Sequence, residues 1–366
     1  MKFSVVLGTR PEIIKMSPVI QELELKNLDY SILHTGQHYL YNMDKVFFDV
    51  LNLPDATYNL DVGSGSHGEQ TGKILIAIED VLKKEKPDFV LVEGDTNNVL
   101  AGSLAAVKLG IKVVHVEAGL RSYDRTMPEE INRILDDHCS DYLFAPTDVS
   151  KKHLLTEGIS EEKIFVVGNT VVDALSKSAK LNKDNTVLDR LGLVPKSYCL
   201  VTVHRQENVD DKKRFFSILS GLKHLWKEFG IPVIYPVHPR SRKRMSEFGL
   251  NSEGVILVDP VDFLSFLKLE KNAKLILTDS GGVQEEACVF GVPCVTLRDN
   301  TERPETIEVG ANMLAGTNSE KIFKCAKIMV NKNGGWNQPF GDGTTGKKIV
   351  EELCTAKFLP QDQVPL

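Results

Sequence analysis

The sequence predicts an α/β protein built from two successive, Rossmann-like doubly wound halves. Three observations carry that expectation. The 366 residues exceed what a single hydrophobic core usually supports. Short runs rich in Val, Ile, Leu and Phe recur between helical patterns without strict alternation, and strands buried on both faces of a parallel sheet read that way. The pattern then restarts after Gly168-Asn169-Thr170, which marks a second half.

In chain order, the first half supplies strands at 2–7, 30–34, 89–93, 112–117 and 142–145, with 164–167 as its last. The second supplies 198–204, 232–236, 255–257, 275–278 and 292–297. Residues 182–195 are polar and read as loop, and the helical stretch 346–358 fits either half by pattern alone. The expected domains are therefore 1–169 and 170–346. Ligands of doubly wound sheets bind beyond the carboxyl ends of strands, so the expected site is a cleft shared by the halves.

Composition narrows the class. A net charge of −6 without blocks of like charge argues against a nucleic-acid partner or an anionic membrane surface. Six scattered cysteines, none in a CxxC pair, point to reduced thiols in a cytoplasmic protein. The chain enters a strand at once, as a protein without a signal peptide would, and no apolar run reaches the roughly 18 residues of a membrane span.

Polar residues at strand ends are the candidate functional positions. The run at 275–278 leads into Asp279-Ser280-Gly281-Gly282 and a helix. Two glycines, Ser280 and the helix's free N–H groups suit a diphosphate, and Glu286, about a turn on, can accept from both hydroxyls of a ribose. The plain alternative is a strand-to-helix turn with glycine for tight packing. Together with Glu286 and Arg298-Asp299-Asn300-Thr301-Glu302-Arg303-Pro304-Glu305, the turn reads as a nucleotide-sugar grip. At the end of the first strand, Arg10 and Lys15 beside a helix start would attract a phosphate. Asp95 follows the run at 89–93 and could be a mere helix cap. His115 and Glu117 alternate onto one face of the run at 112–117, and Glu129 and Glu130 open a helix, where acids are favoured by the dipole alone. Three separate carboxylates at these ends still exceed what capping requires. His204 and His238 close two strands of the second half.

Two tempting motifs fail. Gly341-Asp342-Gly343-Thr344-Thr345-Gly346-Lys347-Lys348 approximates a P-loop, but Lys348 replaces Ser or Thr and no strand precedes it. Gly63-Ser64-Gly65-Ser66-His67-Gly68 likewise follows no strand and reads as a mobile loop. No HxH or HxxxH spacing supports a metal site.

Gly8-Thr9-Arg10-Pro11-Glu12, Thr35-Gly36-Gln37-His38, Glu93-Gly94-Asp95-Thr96, His115-Val116-Glu117-Ala118-Gly119-Leu120-Arg121, Pro128-Glu129-Glu130, Thr202-Val203-His204-Arg205, Asp279-Ser280-Gly281-Gly282 and Thr301-Glu302-Arg303-Pro304-Glu305 occur in that order. In that combination the chain resembles the non-hydrolysing UDP-N-acetylglucosamine 2-epimerases over essentially its whole length. The resemblance implies a glycosyltransferase-B-like pair of Rossmann-type domains, an active site in the interdomain cleft, and a final helix at about 347–366 crossing back onto the first domain. It implies interconversion of UDP-GlcNAc and UDP-ManNAc with release and recapture of UDP, no NAD or metal, usually a homodimer, and a supply of ManNAc for surface polysaccharide or glycan synthesis. Carried over position by position, Ser280, Gly281, Gly282 and Arg10 would hold the diphosphate, Glu286 the ribose, and Phe266 would lie near the uracil. Lys15, His204 and Arg303 would complete the ligand shell, with Asp95, Glu117 and Glu129 around the sugar. A second UDP-GlcNAc would bind as activator near Gln37, Gln70, Glu130, Arg205 and His238. There the match is looser, since Tyr39 and the 63–72 loop depart from the family pattern.

The implied chemistry accounts for this set. A sugar C2–H has no adjacent carbonyl to stabilise an anion, so UDP leaves C1 while a base takes the C2 proton, giving 2-acetamidoglucal. UDP then re-adds with a proton delivered to the opposite face. Two faces require two acid/base groups, for which Asp95 and Glu129 are expected, with Glu117 positioning. Arg10, His204 and the 280–282 turn would meet the charge on the leaving UDP. A sugar-transferring enzyme of this fold would need an acceptor groove, and a hydrolysing epimerase would release free ManNAc. A catalytically dead sensor would have lost acids at 95, 117 or 129, and all three are present.

Overall fold

The structure is a computed structural model that describes residues 1–36, 41–182 and 185–355. Gln37, expected at an activator site, lies outside the described residues. The chain divides into two compact units: Met1–Ala174 with the segment from Gly341 onward, and Leu175–Phe340. The sequence put these breaks at 169 and 346.

The first unit contains β1 (Lys2–Leu7), β2 (Asp29–His34), β3 (Tyr58–Asn59), β4 (Phe89–Glu93), β5 (Lys112–Val116), β6 (Tyr142–Ala145) and β7 (Ile164–Val166). All pairings are parallel, in the order β3-β2-β1-β4-β5-β6-β7. The second unit contains β8 (Cys199–Thr202), β9 (Val233–Pro236), β10 (Val255–Val258), β11 (Leu275–Thr278), β12 (Cys294–Thr296) and β13 (Asn312–Leu314). They too are parallel, in the order β10-β9-β8-β11-β12-β13. Strand order reverses between β1 and β4 in one unit and between β8 and β11 in the other. Each sheet therefore has a switch point, where the chain leaves adjacent strands in opposite directions and opens a crevice. Val5, Val90, Leu91, Val113 and Val114 in the first sheet and Leu200, Val201, Ile276 and Leu277 in the second are fully buried, consistent with helices covering both faces.

Several expectations change at the edges. The runs at 198–204 and 292–297 are strand only over Cys199–Thr202 and Cys294–Thr296. Residues 182–195 include a short helix, Val187–Arg190. The loop expected at 63–68 ends at Ser66, whose hydroxyl caps the helix His67–Glu85, so His67 and Gly68 are helical. The last helix runs Thr345–Thr355, and residues 356–366 of the stretch expected to extend it lie outside the described residues. Asp173 fixes its start by accepting from Thr345 N (3.2 Å) and Gly346 N (3.0 Å). Gly346 lies against Pro18 of the helix Arg10–Leu25 so closely that a methyl group there would strike the proline. Among the described residues no helix is long and apolar enough to cross a membrane.

Candidate active site

In the first unit the candidate residues gather at the carboxyl ends of β4 and β5. Glu93 is the last residue of β4, in register with Val116. Gly94 then turns the chain at φ +86°, a conformation glycine adopts without penalty. The strand expected over 112–117 stops at Val116, because Glu117 sits at φ +71°. A left-handed non-glycine residue costs on the order of 1–3 kcal/mol and persists only where its surroundings hold it. Here the holding contact is Lys15, whose Nζ bonds Glu117 Oε2 and lies 3.5 Å from Glu93 Oε1. The two carboxylates are each only 3% exposed. Burial pushes Glu93 well above the usual carboxylate range, with Lys15 opposing and Glu117 reinforcing the shift.

His115 and Glu117 therefore do not share a face as expected. His115 turns Nδ1 to Asp137 (2.8 Å) and Nε2 to the Gly94 carbonyl (2.9 Å). Both ring nitrogens face acceptors, so both carry hydrogen. Burial opposes the charge, but the hydrogen bond and charge of Asp137, the charge of Asp136 and the Gly94 carbonyl together outweigh it and raise the histidine to about 9. Asp137 also receives Arg121 Nη1 at 2.7 Å. The imidazolium thus pins the carbonyl one residue ahead of Asp95.

Asp95 Oδ2 accepts from Arg133 Nη2 at 2.5 Å, while Arg133 Nη1 holds Glu130 at 2.8 Å. Glu130 is buried and also accepts from Ser122 N, Ser122 Oγ and Tyr123 N. Its oxygens organise the 122–123 loop. Gln70, assigned to the same activator set, is buried and bonded to Gly63 O (3.3 Å) and Asn97 Nδ2 (3.0 Å). Glu129 is half-buried, and its carboxylate makes no hydrogen bond or ion pair among the described residues. Arg10 is exposed at its helix start, its guanidinium 5.8 Å from the Phe47 ring centroid. Lys15, the second cation expected there, has its amine on Glu117 and 3.5 Å from Glu93.

In the second unit β11 delivers Asp279, which is fully buried. It accepts from Arg205 N (3.0 Å), Asn208 Nδ2 (3.0 Å), the backbone of His204, and His204 Nδ1 (3.0 Å). Burial works against its charge, yet the His204 hydrogen bond and these other donors hold it below the usual range. Asp279 therefore aims at residues 204–208 and orients the His204 ring, which remains about half exposed. Spatial pairing across 75 positions was invisible in the sequence, where His204 stood alone.

Ser280 caps the helix Gly281–Phe290. Its two glycines have different causes. A methyl group on Gly281 would collide with the Glu302 carboxylate, so that glycine serves packing. A methyl group on Gly282 would meet nothing within 4 Å, so packing does not require glycine there. The open space lies at a helix N-terminus, whose first N–H groups lack intrahelical partners. Glu286 is half-buried on the same helix. Beside it, Glu270 is fully buried, and burial followed by the Glu286 charge raises Glu270 well above the usual range. Arg303, expected in the ligand shell, is buried with its Nε on Glu285 Oε1 (2.5 Å). Arg205 Nη2 lies 3.6 Å from Glu302. His238 is exposed and caps the helix Pro239–Phe248 by accepting from Arg240 N at 3.2 Å. Phe266 packs, half-buried, on the core around Val187, Tyr198 and Ile276. Among the described residues no group of three or more His, Cys, Asp or Glu is placed to hold a metal ion.

The family profile of UDP-N-acetylglucosamine 2-epimerase matches residues 21–354. The UDP-N-acetylglucosamine 2-epimerase of Methanocaldococcus jannaschii is 57% identical over 366 residues, spanning 98% of this chain and 100% of its own. A crystal structure of the M. jannaschii UDP-GlcNAc 2-epimerase in complex with UDP-GlcNAc and UDP matches with a TM-score of 0.92, covering 97% of this chain and 100% of that one. The UDP-2,3-diacetamido-2,3-dideoxy-D-glucuronate 2-epimerase of Pseudomonas aeruginosa is 43% identical, over 97% of this chain and 99% of its own length. Two parallel, doubly wound units of the glycosyltransferase-B-like kind, matched nearly end to end, mean that the chain belongs to the UDP-N-acetylglucosamine 2-epimerase family.

Proposed function

We propose that the chain interconverts UDP-GlcNAc and UDP-ManNAc by anti elimination of UDP to 2-acetamidoglucal and re-addition, supplying ManNAc for glycan synthesis. The observation that carries the proposal is a set of carboxylates: Asp95 and Glu117 just past the ends of β4 and β5, with Glu93 and Lys15 behind Glu117, and Glu129 in the first turn of the helix Pro128–Cys139. A reaction that moves a proton to and from C2 on both faces of one ring needs two such groups, each worth roughly 10²–10⁴-fold when positioned. The 280–282 turn, Arg10 and His204 take the diphosphate, and Glu286 the ribose. Elimination needs no hydride acceptor, because the C–H electron pair becomes the C1=C2 bond as the C1–O pair leaves with UDP.

The test follows the broken bonds. Oxygen label in the C1 bridge of UDP-GlcNAc should scramble to non-bridging β-phosphate positions, and epimerisation in D₂O should place deuterium at C2. Retained C2 hydrogen together with unscrambled oxygen would sink the mechanism. The 43% identical relative favours a second substrate, a 2,3-diacetamido uronate sugar, for the same C2 chemistry. Offering both nucleotide sugars to the purified protein separates the two by product.

Gly282→Ala probes the nucleotide end. The added methyl meets no protein atom, and alanine is favoured over glycine in a helix by about 0.8–1.0 kcal/mol, so stability should hold or rise. UDP affinity, measured by calorimetry, should nevertheless fall at least tenfold, which corresponds to about 1.4 kcal/mol. Wild-type affinity would place the diphosphate elsewhere. Gly281→Ala should show the reverse order of effects, losing stability first through the Glu302 clash.

A further inference from the structure

Lys15 brings one positive charge to two carboxylates, Glu93 and Glu117, that are almost wholly buried. The ionisable groups around Glu93 come from several elements. The helix Arg10–Leu25 contributes Glu12 and Lys15, the residue after β5 contributes Glu117, and Asp95 follows two positions on, bonded to Arg133. His115 on β5 directs its ring at Asp137 and the Gly94 carbonyl. On the other elements packed against β4, the charged residues are Lys2 of β1 and Lys108 of the helix Asn97–Lys108, each at the far end of its element. Glu12 has donors of its own in Gly8 N (2.6 Å), Thr9 N (3.0 Å) and Thr96 Oγ1 (2.5 Å). That leaves one cation for two acids, and like-charged carboxylates sharing a site do not both ionise. Lys15 bonds Glu117 directly, whereas Glu93 Oε1 is buried and accepts no hydrogen bond. Glu93 is therefore the acid that keeps the proton.

We propose that Glu93 is a positioning residue that holds one proton against Glu117, so that the pair, rather than Glu117 alone, is one of the two proton-transferring units of the epimerase. The proposal rests on the reading of Asp95, Glu117 and Glu129 as the sugar-facing acids. It departs from the sequence expectation, which gave Glu117 a positioning role. At rest the pair carries one proton and one negative charge, balanced by Lys15. When the C1–O bond breaks, Glu117 accepts the C2 proton, the C–H electron pair becomes the C1=C2 bond, and the pair holds two protons. On re-addition from that side Glu117 returns a proton to C2, the double-bond electrons form the C–H bond, and the pair reverts to one. Glu93 acts through Glu117 in both directions. The left-handed backbone at Glu117 keeps that side chain out of the sheet ladder and beside its partner.

The test compares kcat against pH for wild type, Glu93→Gln, Glu93→Asp and Glu117→Gln, with UDP affinity in parallel. Wild-type kcat should fall on the alkaline side as the pair loses its proton. Glu93→Gln keeps the shape and neutrality but has no proton to exchange. It should lower kcat about 10- to 100-fold, at and below the low end for a positioned proton transfer, and abolish the alkaline limb while UDP still binds. Glu93→Asp retains a proton at greater reach and should keep the limb, which preserves the test if the glutamine variant does not fold. A Glu93→Gln enzyme with wild-type kcat, or with the alkaline limb intact, overturns the role of Glu93. Glu117→Gln tells the two failures apart. Wild-type turnover there removes Glu117 from the sugar site, whereas an inactive Glu117→Gln beside an unaltered Glu93→Gln profile removes only the shared proton.

Discussion

Asp95→Asn is expected to lower kcat by roughly 10²–10⁴-fold, the contribution of a positioned proton transfer, while UDP binds as in wild type. Asparagine keeps the shape of the side chain and one acceptor oxygen, but it does not take up or release a proton at neutral pH. The fold should tolerate the change. Arg133 loses its charged partner at Asp95, yet stays anchored by Glu130, whose oxygens also hold Ser122 and Tyr123. The Gly94 carbonyl before it remains clamped by His115, and Asn132 Nδ2 still reaches the Asp95 carbonyl at 2.9 Å. Loss of turnover should therefore appear without loss of nucleotide affinity. Turnover within tenfold of wild type would exclude Asp95 from the chemistry.

Lys15→Met should have the largest effect on stability. Removing one partner of a buried ion pair costs roughly 3–5 kcal/mol, because the charge left behind is uncompensated. Here the Glu117 carboxylate would be left without its cation, beside Glu93 on the adjacent ends of β4 and β5. Protonation offers the molecule an escape, which gives the loss a sign in pH. Acids whose folded-state affinity for protons is raised destabilise the fold as pH climbs above their ordinary range. The deficit of Lys15→Met should thus be large at pH 8 and shrink towards pH 5. Amide hydrogen exchange in β4 and β5 reads this locally, without treating a two-unit protein as a single unfolding step. A deficit under about 1 kcal/mol and flat with pH would mean that Lys15 balances no charge.

Much of the fold was legible because parallel strands buried on both faces announce themselves as apolar runs. β3 and β13 escaped since two or three residues are too short to carry a pattern. Of the site, the sequence offered residue types at strand ends and could not supply their partners. Nothing near Asp95 pointed to Arg133, and nothing near His204 pointed to Asp279, because these contacts form across 38 and 75 positions. Glu93 was concealed by being the last residue of an apolar strand. The positive φ of Glu117 had no glycine to signal it. Gly281 and Gly282 read identically in sequence, and only the position of Glu302 separates a packing requirement from an open approach.

The helix Thr345–Thr355, tied to Asp173 and seated on Pro18, bears on how the chain comes off the ribosome. The first unit is not a finished object when its first 174 residues have emerged, for one of its packing surfaces is encoded after residue 340. The helix Arg10–Leu25 must wait, partly bare, while the whole of the second unit is translated. The second unit, by contrast, is continuous in sequence and can complete itself as soon as it clears the exit tunnel. Order of synthesis and order of completion are thereby inverted: the half that begins first closes last. A nascent chain released short of residue 345 would present the Pro18 face to solvent and to chaperones.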